Sequence, residues 1–341
     1  MRRLLLLCVL LAAVQAHAAT EVRFFNWSDY LPPEVLEQFT AETGIPVRYS
    51  TYDSNEAMYA KVKLLRGDGY DLIVPSTYFV DRMGREGLLL PLDRARLPNF
   101  RHLDPDHLDK PFDRGNRYSV PYLWGTTGIA LNTRQFDRAT VQGWSDLWRP
   151  EFRARLLLAN DMREVFQLGL RALGYSGNTR DPEQIRLAYE NLRRLMPNVR
   201  VFNSDAPQIL YLTAEVDAGM IWSGNAFRVQ LENPALTYIY PQEGCGLWMD
   251  NLAIPAGAAN PEGAHRLIDF LMRPDIARLI AEKTRYASPN ADAVRQLPPA
   301  MRDNPVMYPP AEVLDKGEYT TDVGEAITLY AKYWERLKVG E

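Results

Sequence analysis

Cysteine is almost missing from this chain: Cys8 and Cys245 are the only two. Cys8 falls within an apolar run, Leu4 to Val14, that follows Arg2 and Arg3 and leads into Ala16-His17-Ala18. A basic start, an apolar stretch and a small-residue end make the pattern of a cleaved secretory signal, so residues 1–18 are expected to be removed on export. Because Cys8 lies inside the run rather than at its end, a lipid anchor is not expected. An exported chain left with Cys245 alone forms no internal disulfide and relies on its core for stability. Cys245 reads as a small residue in a glycine-flanked loop. No apolar run reaches the ~20 residues that a membrane span requires.

Histidine is scarce as well. Outside the signal there are His102, His107 and His265, none with a second histidine at metal-ligand spacing. HExxH, CxxC, the P-loop, GxGxxG before a helix and the GxSxG elbow are all absent. No catalytic residue, metal site or cofactor is expected, and the chain is not expected to be an enzyme. An excess of positive charge is also lacking. The 39 Lys+Arg, less the two in residues 1–18, face 43 Asp+Glu, which leaves residues 19–341 a net charge near −6. That balance argues against nucleic acid and is compatible with a cationic ligand. Internal repeats, low-complexity tracts and coiled-coil heptads are absent too.

What is present is an alternation of short apolar strands and helical stretches. Val22–Asn26, Val47–Tyr52 and Tyr70–Val74 read as strands. Helices are expected from Pro33 to the stop at Gly44 and over Ala57–Leu65. Farther along, Leu156–Leu158 precedes a helix starting near Asp161, and Ala218–Trp222 precedes one from about Asn225. Strands separated by helices of this length indicate βαβ units, an α/β fold with mainly parallel sheets. About 320 residues favour two domains over one. Without a Gly/Ser-rich linker, the two sheets are expected to join through short β-rich crossovers at Trp124–Asn132 and Trp248–Ala256.

Two tryptophans stand beside acids, in Trp27-Ser28-Asp29-Tyr30 and in Trp248-Met249-Asp250. An indole face attracts an organic cation, worth roughly 0.5–2 kcal/mol, and a neighbouring carboxylate pairs with an ammonium. The pairing suits a flexible amine with several charges. With Ser76, Tyr78, Asp161 and Trp222, these residues fall at strand ends or helix starts, where open α/β sheets bind ligands. Each also has an ordinary explanation. Asp161-Met162-Arg163-Glu164 reads as a capping box, which leaves one carboxylate oxygen free for a ligand. Ser28-Asp29 before Pro32-Pro33 makes a common turn. Asp250 sits at a strand entrance, where carboxylates are usually solvated. Trp124, Trp144, Trp148 and Trp334 read as packing.

These segments resemble the periplasmic polyamine-binding proteins, substrate-binding components of spermidine/putrescine ABC importers. The likeness runs from about Glu21 to the C-terminus. It includes Phe25–Tyr30, Tyr70–Ser76, Val120–Gly125, Arg163–Gln167 and Trp248–Pro255. It implies a two-lobed, type II-like binding-protein fold with a β-strand hinge. One lobe would comprise 19–126 plus 250–294, the other 127–249 plus 295–341. By match of motif, Trp27, Tyr30, Trp222 and Trp248 would frame a methylene chain, and Asp161, Glu164 and Asp250 would hold ammonium groups. Ser28, Asp29, Ser76 and Tyr78 would add polar contacts, with Tyr286 as a further ligand-facing residue.

Two departures bear on selectivity. Spermidine-preferring members usually carry Thr-Glu where Ser28-Asp29 stands, and a late glutamine where this chain has Thr320, whereas Tyr78, Glu164 and Trp248 follow the spermidine pattern. The resemblance thus implies a periplasmic receptor for spermidine that works with a membrane permease. A putrescine-preferring or dual-specificity polyamine receptor and a sensor that signals to a membrane partner are the alternatives.

Overall fold

The computed structural model describes residues 21–340, so the signal segment expected over 1–18 lies outside the described residues. The strands in chain order are β1 (Val22–Trp27), β2 (Val47–Tyr52), β3 (Leu72–Ile73), β4 (Ser119–Asn132), β5 (Leu156–Leu158), β6 (Val199–Phe202), β7 (Ala218–Trp222), β8 (Leu236–Ile239), β9 (Gly246–Ala253) and β10 (Glu318–Tyr319). They join in one sheet of order β2-β1-β3-β9-β4-β7-β5-β6, with β10 beside β9 and β8 beside β4.

The two expected sheets are therefore continuous, and the cause is the length of β4. Fourteen buried residues, at roughly 3.3 Å each, span about 46 Å. Its first half, Ser119–Thr127, pairs antiparallel with β9, and Thr127–Asn132 pairs antiparallel with β7 and β8. On either side the pairing is parallel: β1 with β2 and β3, and β5 with β6 and β7. The sheet is mixed where the long strands cross and parallel within each half. The crossovers expected at Trp124–Asn132 and Trp248–Ala256 are these strands.

Each half has its own core. One gathers Phe24, Val74, Leu252 and the inner faces of the helices Pro261–Leu271 and Pro274–Thr284. The other gathers Ile129, Leu156, Phe166, Leu192 and Trp334. Trp144 and Trp148 pack as expected, their indole N–H groups donating to Gly244 O (3.1 Å) and Asn191 O (2.8 Å). Cys245 is buried, and burial pushes its thiol up to about 12, which keeps it protonated and unreactive at neutral pH.

Local boundaries shift for local reasons. The helix expected at Ala57 starts at Asn55, because the Ser54 hydroxyl accepts from Ala57 N and caps it. The helix expected at Asn225 begins directly after β7, at Ser223. The strand expected over Tyr70–Val74 pairs only at Leu72 and Ile73. Thr43 is followed by Gly44 in the left-handed region (φ 71°), which ends the helix Pro33–Thr43.

Candidate functional site

The carboxyl ends of β1, β3, β5 and β7 and the middle of β9 converge on a cavity of about 710 Å³. Eleven of the thirteen residues singled out from the sequence lie on its wall. Trp27, Ser28, Asp29 and Tyr30 come from the end of β1, and Ser76 follows β3. Asp161 and Glu164 follow β5, Trp222 ends β7, Trp248 and Asp250 come from β9, and Tyr286 from the segment after the helix Pro274–Thr284.

Asp250 is buried, not solvated as a strand-entrance acid would be. Tyr30 Oη donates to its Oδ2 at 2.6 Å, and the Ser76 hydroxyl donates to Oδ1. Ser76 is in turn held by Asn55, whose Nδ2 donates to the hydroxyl (3.1 Å) and whose Oδ1 accepts from Ser76 N (3.0 Å). Burial pushes Asp250 up to about 6 against these bonds. A carboxylate fixed by two hydroxyls in a low-dielectric wall is oriented for a cation.

Asp161 caps the helix Met162–Arg171, its Oδ1 accepting from Arg163 N (2.8 Å) and Glu164 N (3.0 Å). The reciprocal half of a capping box does not form. Glu164 instead turns to the cavity, where its Oε1 accepts from Thr127 Oγ1 (3.0 Å) and Trp222 Nε1 (3.4 Å). Both acids are half-buried and line the cavity, and burial raises both. For Glu164 the Asp161 charge adds to burial and brings it to about 8. A proton or a bound cation relieves that pairing of like charges.

Aromatic rings supply the rest of the wall. Tyr286 stands edge-on to both Trp248 (5.3 Å, 78°) and Tyr30 (5.2 Å, 63°). Trp27 packs on Tyr52 at 4.7 Å and is fixed by its Nε1 donating to Val74 O at 3.0 Å. Gly125 makes room for Trp248, since a Cβ there would lie 2.5 Å from the indole. Tyr286 Oη donates to Asn225 across the cleft. Asp29, with φ 55°, faces Arg228 Nη1 and Gln208 Nε2 from the other half, each at 3.5 Å.

Tyr78 and Thr320 do not reach the wall. Tyr78 is buried behind it, its Oη 3.3 Å from Glu56 Oε1 and its ring 5.6 Å from the Arg163 guanidinium. Thr320 contributes its carbonyl, which accepts from Thr77 Oγ1 at 2.8 Å. A residue's matching position in a motif does not show whether its side chain is on the wall or one layer back.

The wall also holds Tyr52 at the end of β2 with Asp53 and Asn55 after it, Ser204, Ala206 and Pro207 after β6, and Asn225 and Arg228 on the helix Ser223–Glu232. The strand-end rule that picked out Trp27 applies equally to β2 and β6 and would have found the first two groups. Glu56, behind the wall, is raised to about 7 by burial and by Asp161. Among the described residues no group of His, Cys, Asp and Glu is arranged to hold a metal. The arrangement is an aromatic slot with one buried and two half-buried acids, suited to binding a cation.

Residues 34–309 match the family model described as bacterial extracellular solute-binding protein. The chain is 51% identical over 327 residues to the spermidine/putrescine-binding periplasmic protein of Salmonella typhimurium, covering 95% of this chain and 94% of that one. To the putrescine-binding periplasmic protein PotF of Escherichia coli it is 32% identical, covering 94% and 92%. The solved spermidine/putrescine ABC transporter substrate-binding protein PotD of Streptococcus pneumoniae superposes with a TM-score of 0.79 at 36% identity, covering 94% and 99%. The chain thus belongs to the family of bacterial extracellular solute-binding proteins, where it groups with the spermidine/putrescine-binding periplasmic members.

Proposed function

We propose that the chain captures a polyamine between its two halves, prefers spermidine to putrescine, and delivers it to the membrane permease of an ABC importer after export to the periplasm. The family and fold are those of substrate-binding transport proteins, not enzymes. The observation that carries the reading is charge in a confined space: Asp161, Glu164 and Asp250 on one aromatic-walled cavity. Among the described lining residues the one base is Arg228, and it faces Asp29. One buried and two half-buried acids without a counter-charge are costly. A triamine supplies three ammonium groups to them and a diamine two. The curated relative at 51% identity is named for spermidine and putrescine together, and the one at 32% for putrescine.

In this reading Trp27, Tyr30, Trp222 and Trp248 frame the methylene chain, and Ser28, Ser76 and Tyr286 add polar contacts. Asp29 is engaged by Arg228 and so closes the cleft rather than holding an ammonium. Tyr78 and Thr320, off the wall, support it from behind. The lobes that close on the ligand are 19–126 plus 250–294 and 127–249 plus 295–341. Closure gains contacts available only when both lobes meet the ligand. The test is the double change Trp248→Ala with Asp250→Ala. Loss of spermidine binding by a folded protein supports the site, and unchanged binding removes it.

A further inference from the structure

A chain of polar contacts crosses the mouth of the main cavity. Tyr286 Oη donates to Asn225 Oδ1, Asn225 Nδ2 donates to Gln208 Oε1 at 2.5 Å, and Gln208 Nε2 stands 3.5 Å from Asp29 Oδ2. Arg228 Nη1 lies at the same distance from the same oxygen. Tyr286, Asn225 and Gln208 are buried, and Arg228 follows Asn225 by one turn on the helix Ser223–Glu232. Asp29 is exposed and lines the cavity, which puts the guanidinium at the entrance.

Among the described lining residues Arg228 is the one base, and its single ion pair is with Asp29. Asp161, Glu164 and Asp250 are left for a ligand, and a triamine brings one ammonium for each. A tetraamine brings a fourth, and the cationic head of Arg228 already faces the acid at the entrance. Like charges drawn to one carboxylate repel, and an unfavourable contact built against one ligand selects for another. Asp53, also on the lining, is exposed to water, where a single ion pair contributes little.

We propose that Arg228 is a charge filter: seated on Asp29, its guanidinium takes the place of a fourth ammonium and turns the closed cleft against tetraamines in favour of triamines. The proposal rests on the polyamine reading of the main cavity and adds to it the residue that sets an upper limit on ligand charge. Asp29 and Arg228 come from opposite halves, so the filter acts on the closed cleft.

The test is titration of the wild type, Arg228→Met and Arg228→Lys with spermidine and with the tetraamine spermine. It is read as the ratio of the two dissociation constants, so that a loss common to both amines cancels. Methionine keeps an apolar stem without the charge, and lysine keeps the charge. The wild type should bind spermidine at least about fivefold tighter than spermine, the top of the range for an exposed charge contact. Arg228→Met should shift the ratio toward spermine by about fivefold, and Arg228→Lys should leave it within about twofold of the wild type. Adding Asp29→Asn to Arg228→Met should cancel the shift, and adding Asp53→Asn should not. Spermine binding the wild type as tightly as spermidine would overturn the proposal. So would a ratio that Arg228→Met leaves unchanged, an equal shift in Arg228→Lys, or a shift that survives Asp29→Asn or is cancelled by Asp53→Asn. Failure of both amines to bind the wild type would instead overturn the polyamine reading.

Discussion

Binding a cation at Glu164 has to expel a proton. Burial and the Asp161 charge hold the Glu164 carboxyl at about 8, and burial holds Asp250 at about 6. At pH 7 a group titrating near 8 is about 90% protonated and one near 6 about 10%, so an ammonium pairing with both releases about one proton. An alkylammonium stays charged over this range, with an ordinary value near ~10.4. Affinity should then rise about ten- to seventeenfold from pH 6 to 7 and flatten above pH 8. The total gain from pH 6 to 8 is about fifty- to a hundredfold, or ~2.5 kcal/mol. Calorimetric titration with spermidine at pH 7 in two buffers of different ionisation enthalpy counts the proton directly. Glu164→Gln should reduce the count to about a tenth. A count near zero in the wild type, with affinity flat between pH 6 and 8, would refute the reasoning.

The same two carboxyls act on folding with the opposite sign. Their folded values lie above their unfolded ones, so the empty protein is stabilised at low pH and loses that contribution as pH rises through about 6 and then about 8. The melting temperature of the amine-free protein should fall over that window, and saturating spermidine should remove most of the fall. Asp250→Ala strands the Tyr30 and Ser76 hydroxyls and leaves an ammonium unpaired. It should weaken spermidine binding by ~2–4 kcal/mol in titration. Gly125→Ala places a methyl 2.5 Å from both the Trp248 indole and Ser223 Oγ. It should cost ~1–3 kcal/mol of stability in urea melts and shift tryptophan emission. Arg228→Ala breaks a pair whose Asp29 side chain is 59% exposed. A pair so wet contributes under ~1 kcal/mol, and equilibrium affinity should change less than about fivefold.

The strand-end residues were legible because their chemistry and their position agree. A tryptophan beside an acid, at the end of a parallel strand at Trp27 and within the long antiparallel β9 at Trp248, has few other reasons to recur in one chain. Asp161 was legible twice over, as helix cap and as wall, and both are true of it. Glu164 differs: the capping-box spacing suggested a return to the backbone, but Thr127 and Trp222 offer it partners on the cavity side. Continuity of the sheet was hidden because it depends on how far β4 reaches past its neighbours, and burial of all fourteen residues carries no period to count. Tyr78 and Thr320 were placed by motif alone, and depth within a wall is a tertiary property. Arg228 went unnoticed because a lone arginine on a helix is ordinary until the turn at Asp29 brings an acid opposite it.

The most direct measurement is isothermal titration of residues 19–341, freed of bound amine by unfolding and refolding, with spermidine and then putrescine at pH 8, where Asp250 is ionised and Glu164 is readily deprotonated. Three acids on one wall facing three ammonium groups predict spermidine tighter by at least about tenfold, ~1.4 kcal/mol. Putrescine binding equally well or better would contradict the three-charge account, and binding of neither amine would contradict the assignment of the cavity to polyamines.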